Sequence, residues 1–131
     1  MPSTRADVEL RLPADGAYAS VLRTTAAGLA ARLDFTLDDI EDLRMSVGEV
    51  IALVIPEAAE DGDLVTQFFL SPGGMEFQVS VPTPTRVELD EESFAWQVLT
   101  TLADDATADI ADDRFTVRVR LTSALASGAS V

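Results

Sequence analysis

The chemistry open to this chain must come from carboxylates, hydroxyls and guanidinium groups. Of its 131 residues, 23 are Asp or Glu, all nine basic residues are Arg, and His, Cys and Lys do not occur. Without Cys there is no disulfide, thiol nucleophile or thiolate metal site. Without His the usual general base and the commonest zinc ligand are missing. Without Lys neither a Schiff base nor a P-loop lysine can form. As metals, only hard cations held by oxygen remain. The acidic pairs at 38–39, 104–105 and 112–113 lack the alternating, glycine-containing pattern of a calcium loop and read as caps and turns.

Charge narrows the partners. The net charge is −14, and such a surface repels phosphate backbones and anionic lipids. Direct nucleic-acid or membrane binding is therefore not expected. The acidity serves either as a solubilising, solvated face or as an attraction for a basic partner protein. The length predicts one domain, with a core over residues 1–122 and a small, polar, flexible tail at 123–131. Hydrophobic residues make up 47% of the chain, too many for a disordered one. The longest apolar run, Val50 to Pro56, is far short of the ~20 residues of a membrane span. No basic start leads into an apolar stretch, so a signal peptide is not expected and the protein is expected in the cytoplasm.

The elements that must position these groups are legible in the periodicity. Residues 7–12 alternate, with Val8, Leu10 and Leu12 on one side, and stop at Pro13, as a half-buried strand does. Asp15 caps a helix expected to turn Tyr18, Val21, Leu22, Thr25, Leu29 and Leu33 inward. Thr36 and Asp39 approximate a capping box for a second helix. Its apolar face is Leu37, Ile40, Leu43, Val47, Val50 or Ile51, and Val54, and Pro56 ends it. Leu64–Leu70 and Met75–Val81 read as strands joined by the Ser71-Pro72-Gly73-Gly74 turn. After a break at residues 81–85, a third helix opens at Asp90–Ser93, with Phe94, Val98, Leu99 and Leu102 inward. A weak strand at 106–110, a turn at Asp112-Asp113 and a clear strand at 115–121 follow. The order βααββαββ gives an α/β two-layer sandwich: a mixed, mostly antiparallel sheet with helices on one face. Periodicity does not give the strand order.

Two segments carry a resemblance. Leu33-Asp-Phe-Thr-Leu-Asp-Asp-Ile-Glu-Asp-Leu-Arg-Met-Ser-Val-Gly-Glu49 resembles the segment before the adenine-side motif of bacterial anti-sigma factor kinases. Phe94-Ala-Trp-Gln-Val-Leu-Thr-Thr-Leu-Ala-Asp-Asp105 looks like the last helix of the same family. These are serine-protein kinases of the GHKL, or Bergerat-type, ATPase fold, also called histidine-kinase-like. The likeness is greatest to the divergent actinobacterial anti-sigma-F type and runs over residues 7–121.

The family's nucleotide motifs can be followed residue by residue. In its helical Glu-x-x-x-Asn-x-x-x-His motif, Glu activates the attacking group and Asn holds magnesium. Here Glu49 keeps the first position, but Leu53 stands for Asn and Glu57 for His. Leu has no oxygen for a hard cation. The family's Asp-x-Gly-x-Gly after a strand is replaced by Val81-Pro82-Thr83-Pro84-Thr85, and its phosphate-cradling Gly-x-Gly by Ser93 and Ala95. No glycine occurs between Gly74 and Gly128. ATP and magnesium, cofactors by family, are therefore not expected to bind, and Glu49 is vestigial as a catalytic residue or a plain helix-surface carboxylate.

The resemblance further implies a sigma factor and a STAS-type anti-anti-sigma factor as partners, and a homodimer for which the edge strand at 7–12 is a pairing element. Arg23 matches a first-helix Arg that contacts both partners in the family. Trp96, off the stripe at 94, 98 and 102, either plugs the former nucleotide cleft or faces a partner. The expected function is an anti-sigma factor that sequesters a stress- or development-type sigma factor by stoichiometric binding. Its release would follow partner switching. The alternatives are an active protein-serine kinase acting on the anti-anti-sigma factor, and a small-molecule sensor using the emptied cleft.

Overall fold

A computed structural model describes residues 5–84 and 86–125. The elements are β1 (Val8–Pro13), a 3-10 turn at Gly16–Tyr18, α1 (Ala19–Ala31), α2 (Leu37–Val54) and a second 3-10 turn at Ile55–Glu57. They continue as β2 (Asp63–Ser71), β3 (Gly74–Pro82), α3 (Phe94–Leu102), β4 (Asp105–Ala111) and β5 (Arg114–Thr122). This is the βααββαββ order read from the sequence. The five strands lie in the order β1-β2-β3-β5-β4. All four pairings are antiparallel, so the sheet is antiparallel throughout.

One sheet face is covered and the other is bare. Met75, Phe77, Val79 and Val81 of β3 are buried, as are Phe115, Val117, Val119 and Leu121 of β5. The residues between them, Glu76, Gln78, Ser80, Arg114, Thr116 and Arg118, form the open polar face. Arg118 there lies 3.6 Å from Glu76. The helices must therefore all lie on the apolar face, which is the two-layer arrangement. α2 lies between α1 and α3, packed against both.

Local chemistry sets the boundaries. The capping box is complete: the Asp39 backbone N–H donates to Thr36 Oγ1 at 3.1 Å, and the Thr36 N–H donates to Asp39 Oδ2 at 2.9 Å. Asp15 caps the first 3-10 turn by accepting from the Ala17 N–H at 2.9 Å. Gly73 holds φ 69° in the β2–β3 turn, where a side chain would be strained. The β4–β5 turn uses Asp112 and Asp113, both at positive φ (54° and 59°), the backbone of a type I′ hairpin.

Two readings of the helices need correction. In α1 the buried residues are Leu22, Ala26 and Ala30, whereas Tyr18 (40%) and Val21 (42%) are exposed. Small alanines let α1 approach its neighbours closely, and that rotates the helix away from its bulkier stripe. In α2 Leu43, Val47, Val50, Ile51 and Val54 are buried as read, but Leu37 at the first turn is 82% exposed. At the start of the expected tail, Ser123 is buried and donates from its hydroxyl to the Asp34 carbonyl at 3.1 Å. The Ala124 N–H also donates to Asp39 Oδ2 at 3.1 Å. Residues 1–4, Thr85 and 126–131 lie outside the described residues.

Candidate functional site

The end of α2, the segment after β3 and the start of α3 converge on one cleft. Its walls are Ala52, Leu53, Pro56 and Glu57 from the α2 end, Val87 to Asp90 and Ser93 from the segment before α3, and Phe115 from β5. The structure thus brings together Leu53, Glu57 and Ser93, three positions where the resembled family places nucleotide-binding residues. Glu49 and Ala95 do not line it. Glu49 is half-buried one helical turn before Leu53 and makes no hydrogen bond or ion pair among the described residues.

The cleft is poorly made for a nucleotide. Its volume is about 170 Å³, against ~300–1,000 Å³ for ordinary ligand pockets. Val87 (7% exposed) belongs to the core and occupies the space beneath it. The backbone following β3 is committed elsewhere: the Thr83 N–H donates to the Asp113 carbonyl, and the Pro82 carbonyl accepts from the Ala59 N–H. The α3 N-terminus is capped by its own chain, with Ser93 Oγ accepting from the Trp96 N–H at 3.3 Å. Three carboxylates, Glu57, Glu88 and Asp90, line the walls with no Arg among them. They would oppose a triphosphate rather than receive it.

Magnesium does not fit either. Leu53 offers no oxygen at the family's ligand position. Among the described residues no group of three acidic side chains is disposed to hold a metal ion.

The two residues assigned to partners fall on opposite flanks of α2. Arg23 on α1 is half-buried and brings the Nε and Nη2 of its guanidinium against Gly48 of α2, each 3.5 Å from where a Cβ would stand. Its side chain makes no hydrogen bond or ion pair among the described residues, so its donors are not committed to another side chain. Trp96 on α3 is only 8% exposed and joins the core, while Phe94 is 78% exposed. The expectation of an inward Phe94 is reversed, and Trp96 offers a partner little surface. Nine residues hold two overlapping apolar stripes, and the larger indole takes the deeper place. Ser93 caps this helix, and Trp96 is its third residue.

No protein-family model matches the chain. It is similar to the serine-protein kinase RsbW of Bacillus thuringiensis, 31% identical over 75 residues that make up 56% of this chain and 47% of that one. RsbW kinases of Bacillus cereus and Bacillus anthracis give the same figures. The chain thus spans about half the length of these relatives. It is also similar to the crystal structure of the RsbU and RsbW domains of a Mycobacterium tuberculosis protein. That likeness has a TM-score of 0.70 and 16% identity, and covers 88% of this chain and 31% of the other. Both the resemblance and the histidine-kinase-like ATPase fold it implied are borne out.

Proposed function

We propose that this relative of the anti-sigma factor and serine-protein kinase family is an anti-sigma factor that works by stoichiometric binding, without a nucleotide. It would hold an alternative sigma factor until a STAS-type anti-anti-sigma factor competes for the same surface. One observation carries the reading: the cleft at the family's nucleotide position is small, has Leu53 in place of an oxygen ligand and is walled by Glu57, Glu88 and Asp90. A fold kept while its catalytic cleft is closed is best explained by binding. The cleft's size also speaks against a small-molecule sensor.

Binding would use both ranges of electrostatics. The net charge of −14 attracts a partner that carries basic surface for its own work on DNA. Arg23, set beside Gly48, supplies the short-range anchor. A homodimer through the β1 edge, one of the two outer strands of the sheet, is part of the same proposal. Pull-down from a native lysate, with partners identified by mass spectrometry, tests the class. A sigma factor captured in equimolar amount, and lost with Arg23→Ala, is the expected result. Phosphate transfer from ATP to a captured STAS protein would replace this reading with that of an active kinase.

A further inference from the structure

The outer face of α3 has no role in the site described above. Phe94, Val98 and Leu102 recur every four residues along it, and with Gln97 and Thr101 they line a shallow apolar groove. Phe94 is 78% exposed, the most exposed aromatic side chain among the described residues. Three anchors over eight residues span ~12 Å, two turns of a helix laid alongside. At the sheet edge Ile110 of β4 (41% exposed) is paired with Phe115, a wall of the neighbouring cleft.

The rim is of one sign. Residues 87–113 contain nine carboxylates and no basic residue. Asp90, Glu91 and Glu92 precede the groove, and Asp104 follows it, all exposed. Gln97 ties the acidic turn to the groove by donating from Nε2 to the Glu91 carbonyl at 3.0 Å.

These charges select among occupants. In an isologous dimer each patch meets its own copy. Either orientation of two α3 helices would set acid against acid, so a second copy is disfavoured. An anionic lipid surface is repelled for the same reason. What complements an apolar stripe between acidic ends is an amphipathic helix with basic flanks.

We propose that the outer face of α3 docks a basic amphipathic helix of a partner protein, on the flank of α2 opposite Arg23. This goes beyond the sigma-factor reading, and neither depends on the other. The test uses the full chain and a fluorescein-labelled peptide of about 14 residues, four helical turns, with Leu on one face and Lys on the other. A control peptide replaces every Leu with Ser.

In about 150 mM salt, where distant charges are screened, the Leu peptide should bind at least about tenfold more tightly than the control. Phe94→Ser with Val98→Ser should weaken it about tenfold or more, as loss of an aromatic anchor does. Arg23→Ala, and Leu37→Ser with Met45→Ser at exposed apolar positions of α2, should leave it within about twofold. Amide shifts should centre on residues 94–102. Equal binding of the two peptides, shifts centred on α1 and α2, or self-association abolished by the Phe94 variant would each overturn the proposal. Phe94 is exposed and Val98 half-buried in the groove, so an unchanged melting curve separates lost docking from lost folding.

Discussion

Helices α2 and α3 lie side by side on the same sheet but deploy their apolar residues differently. α2 has 18 residues and buries Leu43, Val47, Val50, Ile51 and Val54 along one continuous stripe. α3 has nine, buries Trp96 and Leu99, and leaves Phe94 outside. The long helix anchors the fold and the short one shapes a surface. Their junction is the cleft in which the family's nucleotide would sit, lined from the α2 side by Leu53 and on the other by Val87 and the acidic turn before α3.

The largest effect that would break this contrast is at the centre of α2. Val47 is fully buried, and an unpaired carboxylate there costs several kcal/mol, out of roughly 5–15 for a whole domain. Val47→Asp should abolish the cooperative thermal transition. A soluble variant with a normal melt would mean that α2 does not anchor the core.

Next comes the pair on α3. Trp96→Ala should cost ~3–5 kcal/mol, as truncation of a buried aromatic does, whereas Phe94→Ala should stay within ~0.5 kcal/mol. Urea titration of both variants measures the difference. Comparable losses would put Phe94 in the core and reverse the assignment of the two stripes.

A smaller effect sharpens the account of how α2 begins. Burial pushes the Asp39 carboxyl up. The Thr36 and Ala124 backbone N–H groups and the Thr36 and Ser123 hydroxyls outweigh it, and the group titrates below its ordinary value. Its folded form therefore holds its proton less tightly than the unfolded form does. The resulting stability is complete above the unfolded value near ~3.9 and is lost as pH falls through the lower folded one. Asp39→Asn should lower the melting temperature at neutral pH and flatten the acid-induced loss between about pH 5 and 3. Parallel acid limbs in the two proteins would show that Asp39 does not link α2 to residues 123–125.

Much of this was legible in the chain. Alternation along β3 and β5 survives intact because every second residue meets the helices, and Thr36-x-x-Asp39 is a local device that works within one turn. The rotation of α1 was not legible, because Ala26 and Ala30 carry weak hydropathy and are buried for their size. The side of α3 that faces inward could not be read for a different reason. Trp96 and Phe94 are two residues apart, and only the packed neighbour α2 decides between them. At the cleft, the missing Asn, Asp and glycines were readable, but the approach of Val87 and three carboxylates was a matter of tertiary structure.

The claim that the cleft has lost its nucleotide is tested most directly by melting the protein with and without millimolar Mg-ATP. A ligand at 100 times its dissociation constant adds ~2.7 kcal/mol and raises the melting temperature by several degrees. With Leu53, Ser93, Glu57, Glu88 and Asp90 in place, the account predicts a shift below about 1 °C. A rise of several degrees that disappears when magnesium is chelated would contradict it.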